Sequence, residues 1–362
     1  MGGLLGRGRG IRAAGPLLEV LNAVELVDHH AHGILRGEPT LDEFRGLFSE
    51  SPDPRQWPHV ATGLTYRRAI GELAAFFDLE PTERAVYEHR VATDPAEYAS
   101  SLLRATRTEW LLVDDGYPPP GEGTSWDELG ELANCSARPV LRIERVAEEN
   151  SLDGLRGEVT AARENGFVGL KTIAAYRGGL DFEAFGPSDP SSLGGRVEGA
   201  AMRDAVTAAL EANEAAGSPL PVQVHAGFGD SDLFLPRVQP GYLKPLIERF
   251  RDTPFVLLHC YPFVREAGWL AHVYGNVYFD LSLTIPHVSR PAEMVRQALE
   301  LAPVSKLLYA SDAARTPELY YVAAKWWREA LAEVLTETLE PRDAEVAGTQ
   351  VLRENARALY GL

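Results

Sequence analysis

The sequence predicts an α/β fold, a (β/α)8 TIM barrel in which eight parallel strands alternate with helices. Short apolar runs recur along the chain, each ends in a charged residue or a histidine, and segments with helical spacing separate them. The carboxyl ends of barrel strands meet at one mouth, so these polar endings should converge there. A doubly wound sheet is the alternative. However, no Gly-x-Gly-x-x-Gly motif follows an early strand, so a dinucleotide fold has no support.

The first predicted strand carries two histidines at its end. An apolar run over residues 20–27 leads into His30, Ala31 and His32 and then a glycine. Alternate residues of a strand face the same side, so both imidazoles should point into one cavity. A lone His-x-His would more often be a solvated pair, so its interpretation depends on the later strands. Residues 1–16 are rich in Gly and Arg and lack the apolar core of a signal peptide, which predicts a flexible N-terminus.

Residues 34–105 form the longest connection of the predicted barrel. Residues 41–48 and 66–77 have the three-to-four spacing of amphipathic helices, and prolines between 52 and 58 divide the segment. A connection of this length is too long for a plain loop, which predicts a helical insertion. Because it follows strand 1, it should emerge on the catalytic face and form a lid.

The remaining strands follow in order. Strands 2 to 4 are predicted at 110–113, 139–143 and 168–170, ending at Asp114 and Asp115, Glu144, and Lys171. Strands 5 to 8 are predicted at 221–224, 255–258, 277–279 and 307–311, ending at His225, His259, Asp280 and Asp312. Helices are predicted between them at 152–165, 198–216, 241–252, 263–273, 290–301 and 317–338. This pattern places residues 1–362 in a single barrel domain.

Five of the strand endings together suit a metal ion. They are His30, His32, His225, His259 and Asp312. Four neutral nitrogens and a carboxylate are ligands for zinc or another borderline divalent ion. Each residue alone could be a satisfied polar group at a strand end. Five in register, in a chain of nine histidines, favour a metal site.

These strand endings resemble the amidohydrolase superfamily, whose barrel binds one or two metals in this way. Residues 351–360 look like its closing helix, and the form Asp28-x-His30-x-His32 looks most like the amidohydrolase-2 branch. The stretches 27–32, 171–177 and 225–230 are similar to the barrel half of nodulin/glutamine-synthetase-like fusion proteins. The resemblance implies a metal-dependent amidohydrolase with one or two ions, most often zinc.

The number of metals depends on Lys171. In binuclear members of the family a strand-4 lysine is carbamylated and bridges two ions, and Lys171 occupies that strand end. The alternative is an unmodified lysine that binds an anionic substrate. Glu144 is a second candidate for a bridging or substrate-contacting carboxylate, or else a partner of Arg142 or Lys171.

The resemblance implies hydrolysis of an amide or related C–N bond, other than a peptide bond, in a small, carboxylate-bearing substrate. A bound metal would activate water, Asp312 would move its proton, and His225 or His259 would stabilise the oxyanion. The substrate contacts are expected from side chains near strand ends: Asp115, Glu144, Arg142, Tyr176, Arg177, Asp230 and Asp232. Of these, Arg177 could pair with a carboxylate. A metal-dependent decarboxylase or isomerase, or a non-catalytic scaffold barrel, stays open because fold does not decide function.

Composition limits the partners. With 52 acidic and 35 basic residues the net charge is −17, which repels nucleic acid and anionic membranes. No window of about 18 apolar residues exists, so no membrane span is expected. Two cysteines, Cys135 and Cys260, are too few for a disulfide framework and fit a cytoplasmic protein. A small-molecule substrate is the expected partner, and paired tryptophans at 326–327 leave a homo-oligomer open.

Overall fold

The computed structural model describes residues 14–119, 121–185 and 196–362. Within these residues seven parallel strands form one sheet in chain order, so each strand pairs with the next along the sequence. The strands are β1 (Leu26–Ala31), β2 (Thr108–Asp114), β3 (Ser136–Arg142), β4 (Gly169–Thr172), β5 (Val222–Ala226), β6 (Phe255–His259) and β7 (Val277–Phe279). The α/β class and the barrel architecture are as predicted.

The eighth predicted strand is irregular, which corrects the expectation of eight regular strands. Only one isolated bridge, between Phe279 and Leu307, joins this segment to β7. The Tyr309 N–H donates to the carbonyl of Val351 at 3.0 Å, so this N–H does not bond to a neighbouring strand of the sheet. The segment still closes the ring, because Leu308 N donates to Phe279 O and Asp312 N donates to the carbonyl of His30 in β1, both at 3.0 Å.

The α-helices surround this sheet. They are α1 (Gly15–Ala23), α2 (Leu41–Gly46), α3 (Trp57–Val60), α4 (Leu64–Phe76), α5 (Glu83–Ala92), α6 (Pro95–Ala105), α7 (Trp126–Ala133), α8 (Ile143–Glu149), α9 (Leu152–Ala161), α10 (Gly199–Ala215), α11 (Lys244–Arg249), α12 (Val264–Val273), α13 (Thr284–His287), α14 (Pro291–Leu299), α15 (Pro317–Thr338), α16 (Pro341–Thr349) and α17 (Asn355–Tyr360). Short 3-10 helices lie at Ala174–Arg177, Phe182–Ala184, Leu235–Arg237, Pro240–Leu243 and Val304–Lys306, and a π-helix lies at Gln350–Glu354. None of the described helices is long and apolar enough to cross a membrane.

The start of the chain differs from the expectation. The first half of the apolar run before the histidines belongs to α1, which begins at Gly15 inside the segment that the sequence predicts to be flexible. Residues 1–13 of that segment lie outside the described residues. β1 begins only at Leu26 but extends to Ala31, so His30 lies within the strand.

The long connection after β1 is helical, as its periodicity indicates. It contains α2 to α6, and an aromatic cluster with Phe44, Phe48 and Tyr66 packs inside it, with ring centroids 5.1–6.4 Å apart. The Tyr98 hydroxyl at its end donates to Glu318 of α15 at 3.1 Å. These contacts attach the insertion to the barrel, and its role as a lid stays a prediction.

Strand residues alternate between two cores. Val256 and Leu258 of β6 belong to a small buried cluster that Tyr360 of α17 also joins. Phe255 and Leu257 belong to the large cluster that includes most of the buried helix residues. Alternation with a period of two explains this division, because successive side chains of a strand face opposite sides of the sheet.

A buried arginine in α15 joins elements that are distant in sequence. The guanidinium of Arg328 is 4% exposed and donates to the carbonyls of Leu21 at 3.0 Å, Val24 at 2.9 Å and Thr106 at 2.9 Å. These carbonyls lie at the end of α1 and at the approaches to β1 and β2. One side chain therefore donates to three backbone acceptors, of which the Leu21 carbonyl also accepts from the N–H of Val24 at 3.2 Å.

We expect Arg328→Met to lower the free energy of unfolding by about 3 kcal/mol, because a buried carbonyl that loses its donor costs about 1–3 kcal/mol. Urea unfolding followed by circular dichroism measures the change. Arg84→Met is the control, since Arg84 pairs with Glu88 on an exposed helix face and should leave the midpoint unchanged. Equal midpoints for both variants would contradict the bonding role of Arg328.

Candidate metal centre

Three predicted ligands form a compact group at the mouth of the barrel. The Nε2 atoms of His30 and His32 lie 2.9 and 3.2 Å from Oδ1 of Asp312. One ligand atom from each residue lies within 4.8 Å of the others. His30 is in β1, His32 follows its end, and Asp312 follows the segment that closes the ring. As the alternation of strand residues predicts, the side chains of His30 and His32 point to the same side, toward Asp312.

The other three predicted ligands adjoin this group. Nε2 of His259 lies 3.0 Å from Nδ1 of His225, and Nδ1 of His259 lies 3.5 Å from Oδ2 of Asp312. Nζ of Lys171 lies 3.3 Å from Nε2 of His30. The structure therefore brings together the side chains of β1, β4, β5, β6 and the closing segment.

Two of these residues have a left-handed backbone. The φ angle is +67° at His259 and +49° at Asp312, and residues other than glycine rarely adopt positive φ angles. Each lies where the chain leaves the barrel wall. Such conformations persist where the surrounding contacts fix them, and they concentrate at functional sites.

Burial keeps the imidazoles neutral. It lowers the pKa of His30 to about 4 and holds the pKa values of His225 and His259 well below the ordinary value. Burial also lowers the pKa of Lys171, to about 8. At neutral pH His30, His225 and His259 therefore carry one proton each and keep one nitrogen lone pair.

The residues present fit a divalent cation. Oδ1 of Asp312 and Nε2 of His225 are buried and have no hydrogen-bond partner among the described residues. Unsatisfied buried polar atoms are rare in native proteins, because each costs free energy that a partner normally offsets. Imidazole nitrogens and a carboxylate oxygen are the usual ligands of zinc, so a cation would satisfy these atoms.

A cavity of about 330 Å³ opens on this group. Its lining includes the ligands His32, Lys171, His225, His259 and Asp312 and the predicted substrate contacts Arg142, Tyr176, Arg177, Asp230 and Asp232. A larger cavity of about 540 Å³ lies beside α5 and α6 and contains none of the predicted ligands. The predicted ligands therefore identify the smaller cavity as the candidate site.

Two predicted substrate contacts lie elsewhere. Asp115 accepts from Arg145 at 3.1 Å and from the backbone N–H of Arg142 at 3.2 Å. Glu144 is buried in the first turn of α8 and accepts from the Thr172 hydroxyl at 2.5 Å and from the N–H of Ile173 at 2.9 Å. Neither residue lines the cavity, because these local partners turn both carboxylates away from it.

The two predicted arginines differ in the donors that they leave unused. Arg142 donates to Asp114 at 2.6 Å and to the carbonyl of Gly116 at 3.1 Å. Arg177 donates to Glu148 at 3.2 Å, and its Nε has no partner within the described chain. Arg177 therefore keeps more capacity to bind a substrate anion.

The sequence does not predict three polar or charged residues of the cavity: Glu50, Tyr117 and Arg315. Arg315 donates to the carbonyl of Ser49 at 2.9 Å and to Glu50 at 3.2 Å, which brings the insertion to the cavity. The position of Arg315 three residues after a predicted ligand was a usable signal. Glu50 is far from any strand end, so no sequence signal identified it.

Comparison with known proteins agrees with this geometry. A family model described as amidohydrolase matches residues 135–362, which is more than half of the chain. The chain belongs to the amidohydrolase family. The chain is 26% identical to the fluG protein of Emericella nidulans in an alignment of 406 residues that covers 96% of this chain and 47% of that protein. It spans about half the length of that curated relative, which supports the predicted resemblance to one half of a fusion protein.

Two solved structures share the fold of this chain. An inferred metal-dependent hydrolase of Lactobacillus casei is 27% identical, with a TM-score of 0.83 and coverage of 95% of this chain and 97% of that chain. A uronate isomerase of Bacillus halodurans is 14% identical, with a TM-score of 0.67 and coverage of 97% and 98%. The second likeness shows the fold alone.

We expect His30→Ala or His32→Ala to lower the bound metal sharply without unfolding the barrel, because each change removes a ligand while the strands keep their backbone bonds. Elemental analysis of the purified variants measures the metal, and circular dichroism checks the fold. His272→Ala, which removes an exposed histidine of α12, is the control. Full stoichiometric metal in both ligand variants would show that the assignment is wrong.

Proposed function

We propose that this chain is a metal-dependent hydrolase of an amide or related C–N bond in a small, carboxylate-bearing substrate. The observation that carries the proposal is the compact group of His30, His32 and Asp312, with Lys171, His225 and His259 beside it. All of these residues except the fully buried His30 line one cavity. The metal proposed is zinc, as one or two ions. Family membership supports a metal-dependent reaction, and the ligand types favour zinc.

A divalent ion in this site would supply activated water at neutral pH and would polarise a carbonyl group. The chain's own residues would handle the protons. Asp312 lines the cavity and is the only carboxylate in the compact ligand group. It is therefore the base that we assign to accept a proton from water and pass it to the leaving nitrogen.

His225 is the residue that we assign to the developing oxyanion. Its Nε2 is buried and without a partner, and its ring lies against the Tyr176 ring, with centroids 4.6 Å apart. Its pKa is well below the ordinary value because of burial, so the ring is neutral. It would donate from Nε2 in the tautomer that leaves Nδ1, 3.0 Å from Nε2 of His259, free to act as a ligand. His259 is less suited to this role, because its Nδ1 bonds to Ser282 at 2.8 Å and its Nε2 then carries no proton.

The cations of the cavity support a substrate that carries a carboxylate. Arg142, Arg177 and Arg315 all line it, and Arg177 has an unused donor. A planar guanidinium can hold a carboxylate through two parallel hydrogen bonds. Asp230 also lines the cavity and is half-buried, and burial raises its pKa, so it would contact a neutral or cationic part of the substrate.

Lys171 keeps both roles that the sequence leaves open. A carbamate on Nζ would provide oxygen ligands for a second ion beside His30, whereas the unmodified ammonium would hold a substrate anion. Mass spectrometry of the intact protein under gentle conditions separates the two states, because a carbamate adds the mass of one carbon dioxide.

Isomerisation or decarboxylation is the second candidate. The observation that favours it is the fold shared with a uronate isomerase over 97% of the chain. Sugar acids also carry the carboxylate that the arginines would bind. A product screen separates the reactions, since C–N hydrolysis releases ammonia or an amine, decarboxylation releases carbon dioxide and isomerisation releases neither.

Asp312→Asn should keep the shape of the site and lose about 10²- to 10⁴-fold in turnover, the usual share of general acid–base catalysis. Metal content should fall less, because an amide oxygen still contacts a cation. Turnover on the best compound from a screen of carboxylate-bearing amides measures the loss, with Asp343→Asn in α16 as the control. A rate near that of the wild type would remove Asp312 from the proton transfer.

Removing the metal should abolish turnover and destabilise the protein. A ligand at 100 times its dissociation constant contributes about 2.7 kcal/mol to the free energy of unfolding. We therefore expect a chelator to lower the thermal midpoint and added zinc to restore both the midpoint and turnover. Full turnover in protein that elemental analysis shows to be free of metal would exclude the proposed function.

A further inference from the structure

A glutamine beneath the metal centre is bonded at both ends of its side-chain amide. Gln223 lies in β5, two residues before His225, and is fully buried. One end of the amide lies 2.8 Å from Nδ1 of His30. The other end lies 2.6 Å from the carbonyl oxygen of His29 and 3.0 Å from the hydroxyl of Tyr360.

The chemistry of these partners decides the orientation of the amide. A backbone carbonyl can only accept a hydrogen bond, so the end of Gln223 that faces His29 must be the NH2 group. The end that faces His30 is then the oxygen, which can only accept. Nδ1 of His30 must therefore carry the proton, and Nε2 keeps its lone pair.

That lone pair faces the proposed site. Nε2 of His30 lies 2.9 Å from Oδ1 of Asp312 and 3.3 Å from Nζ of Lys171. Two acceptor atoms of His30 and Asp312 therefore face each other, and a cation between them relieves their repulsion. The orientation of Gln223 thus determines whether His30 can act as a ligand through this nitrogen.

A second, separate contact has the same effect on His259. Oδ1 of Asp280 accepts from the Ser282 hydroxyl at 2.7 Å, which uses the one proton of that hydroxyl. The Ser282 oxygen can then only accept from Nδ1 of His259, at 2.8 Å. His259 also keeps its lone pair on Nε2, so both histidines present the same nitrogen.

We propose that Gln223 is a positioning residue that locks His30 in the tautomer whose Nε2 binds the metal, an inference that rests on the metal site of the proposed function. Hydrogen-bond partners of this kind fix the ring and its tautomer in metal sites, and their loss costs about 10- to 100-fold in metal affinity. Without Gln223, His30 can place its proton on Nε2, where it excludes the cation.

Metal affinity tests the proposal. Metal-free protein is titrated with zinc against a competing chelator, for the wild type, Gln223→Leu and Tyr360→Phe. We expect Gln223→Leu to bind zinc about 10- to 100-fold more weakly. Tyr360→Phe removes one partner of the same amide but leaves His29 to orient it, so its affinity should stay close to that of the wild type. Equal affinities for the wild type and Gln223→Leu, or equal losses in both variants, would overturn the proposal.

A second measurement needs no metal and no glutamine variant. Nitrogen-15 NMR of histidine-labelled, metal-free wild-type protein reports which ring nitrogen carries the proton, and comparison with His30→Ala assigns the His30 signal. We expect the proton on Nδ1. A proton on Nε2 overturns the proposal even if Gln223→Leu does not fold. Failure of the wild type to bind any metal would instead count against the proposed function, and the tautomer would still be measured.

Discussion

The crowding of electron-rich atoms at the mouth of the barrel is the constraint on which the rest of the site depends. Nε2 of His30 and Nε2 of His32 lie within hydrogen-bond distance of Oδ1 of Asp312, yet this buried oxygen has no hydrogen-bond partner in the described chain. In a buried environment such an arrangement is costly unless a cation compensates it. Burial keeps His30 and His259 neutral, so their own protons do not supply that cation. The arrangement therefore fits a metal site.

The barrel wall keeps these atoms in place. The closing segment forms no regular strand, but Asp28 of β1 accepts from the N–H of Ser311 at 2.9 Å, and Asp312 N donates to His30 O. The strand that carries His30 and leads to His32 thus also anchors the carboxylate. This contact gives a physical role to the acid in the Asp28-x-His30-x-His32 motif, since it fixes the position of the opposite ligand.

The cavity differs in charge from the protein as a whole. The chain has a net charge of −17, whereas Arg142, Lys171, Arg177 and Arg315 all line the cavity, with Glu50, Asp230 and Asp232 among them. A substrate anion would therefore be held by local contacts and not by the overall field. Arg315 also joins the insertion to this cavity through Ser49 and Glu50, so the insertion and the site share one contact.

The sequence by itself determined the barrel and the convergence of the candidate ligands, because strand alternation and polar strand ends are local features: His30 and His32 face one side, and parallel strands bring His225 and His259 to the same mouth. Tertiary contacts decided what depends on residues far apart in the chain. Arg145 holds Asp115 away from the cavity, and Thr172 does the same for Glu144. The carbonyl of Val351 accepts the N–H of Tyr309, which a regular eighth strand would use within the sheet. The nitrogen that His30 presents depends on Gln223, which is 193 residues away. No local pattern encodes such a partner, since a hydrogen bond depends on position in space and not on spacing along the chain.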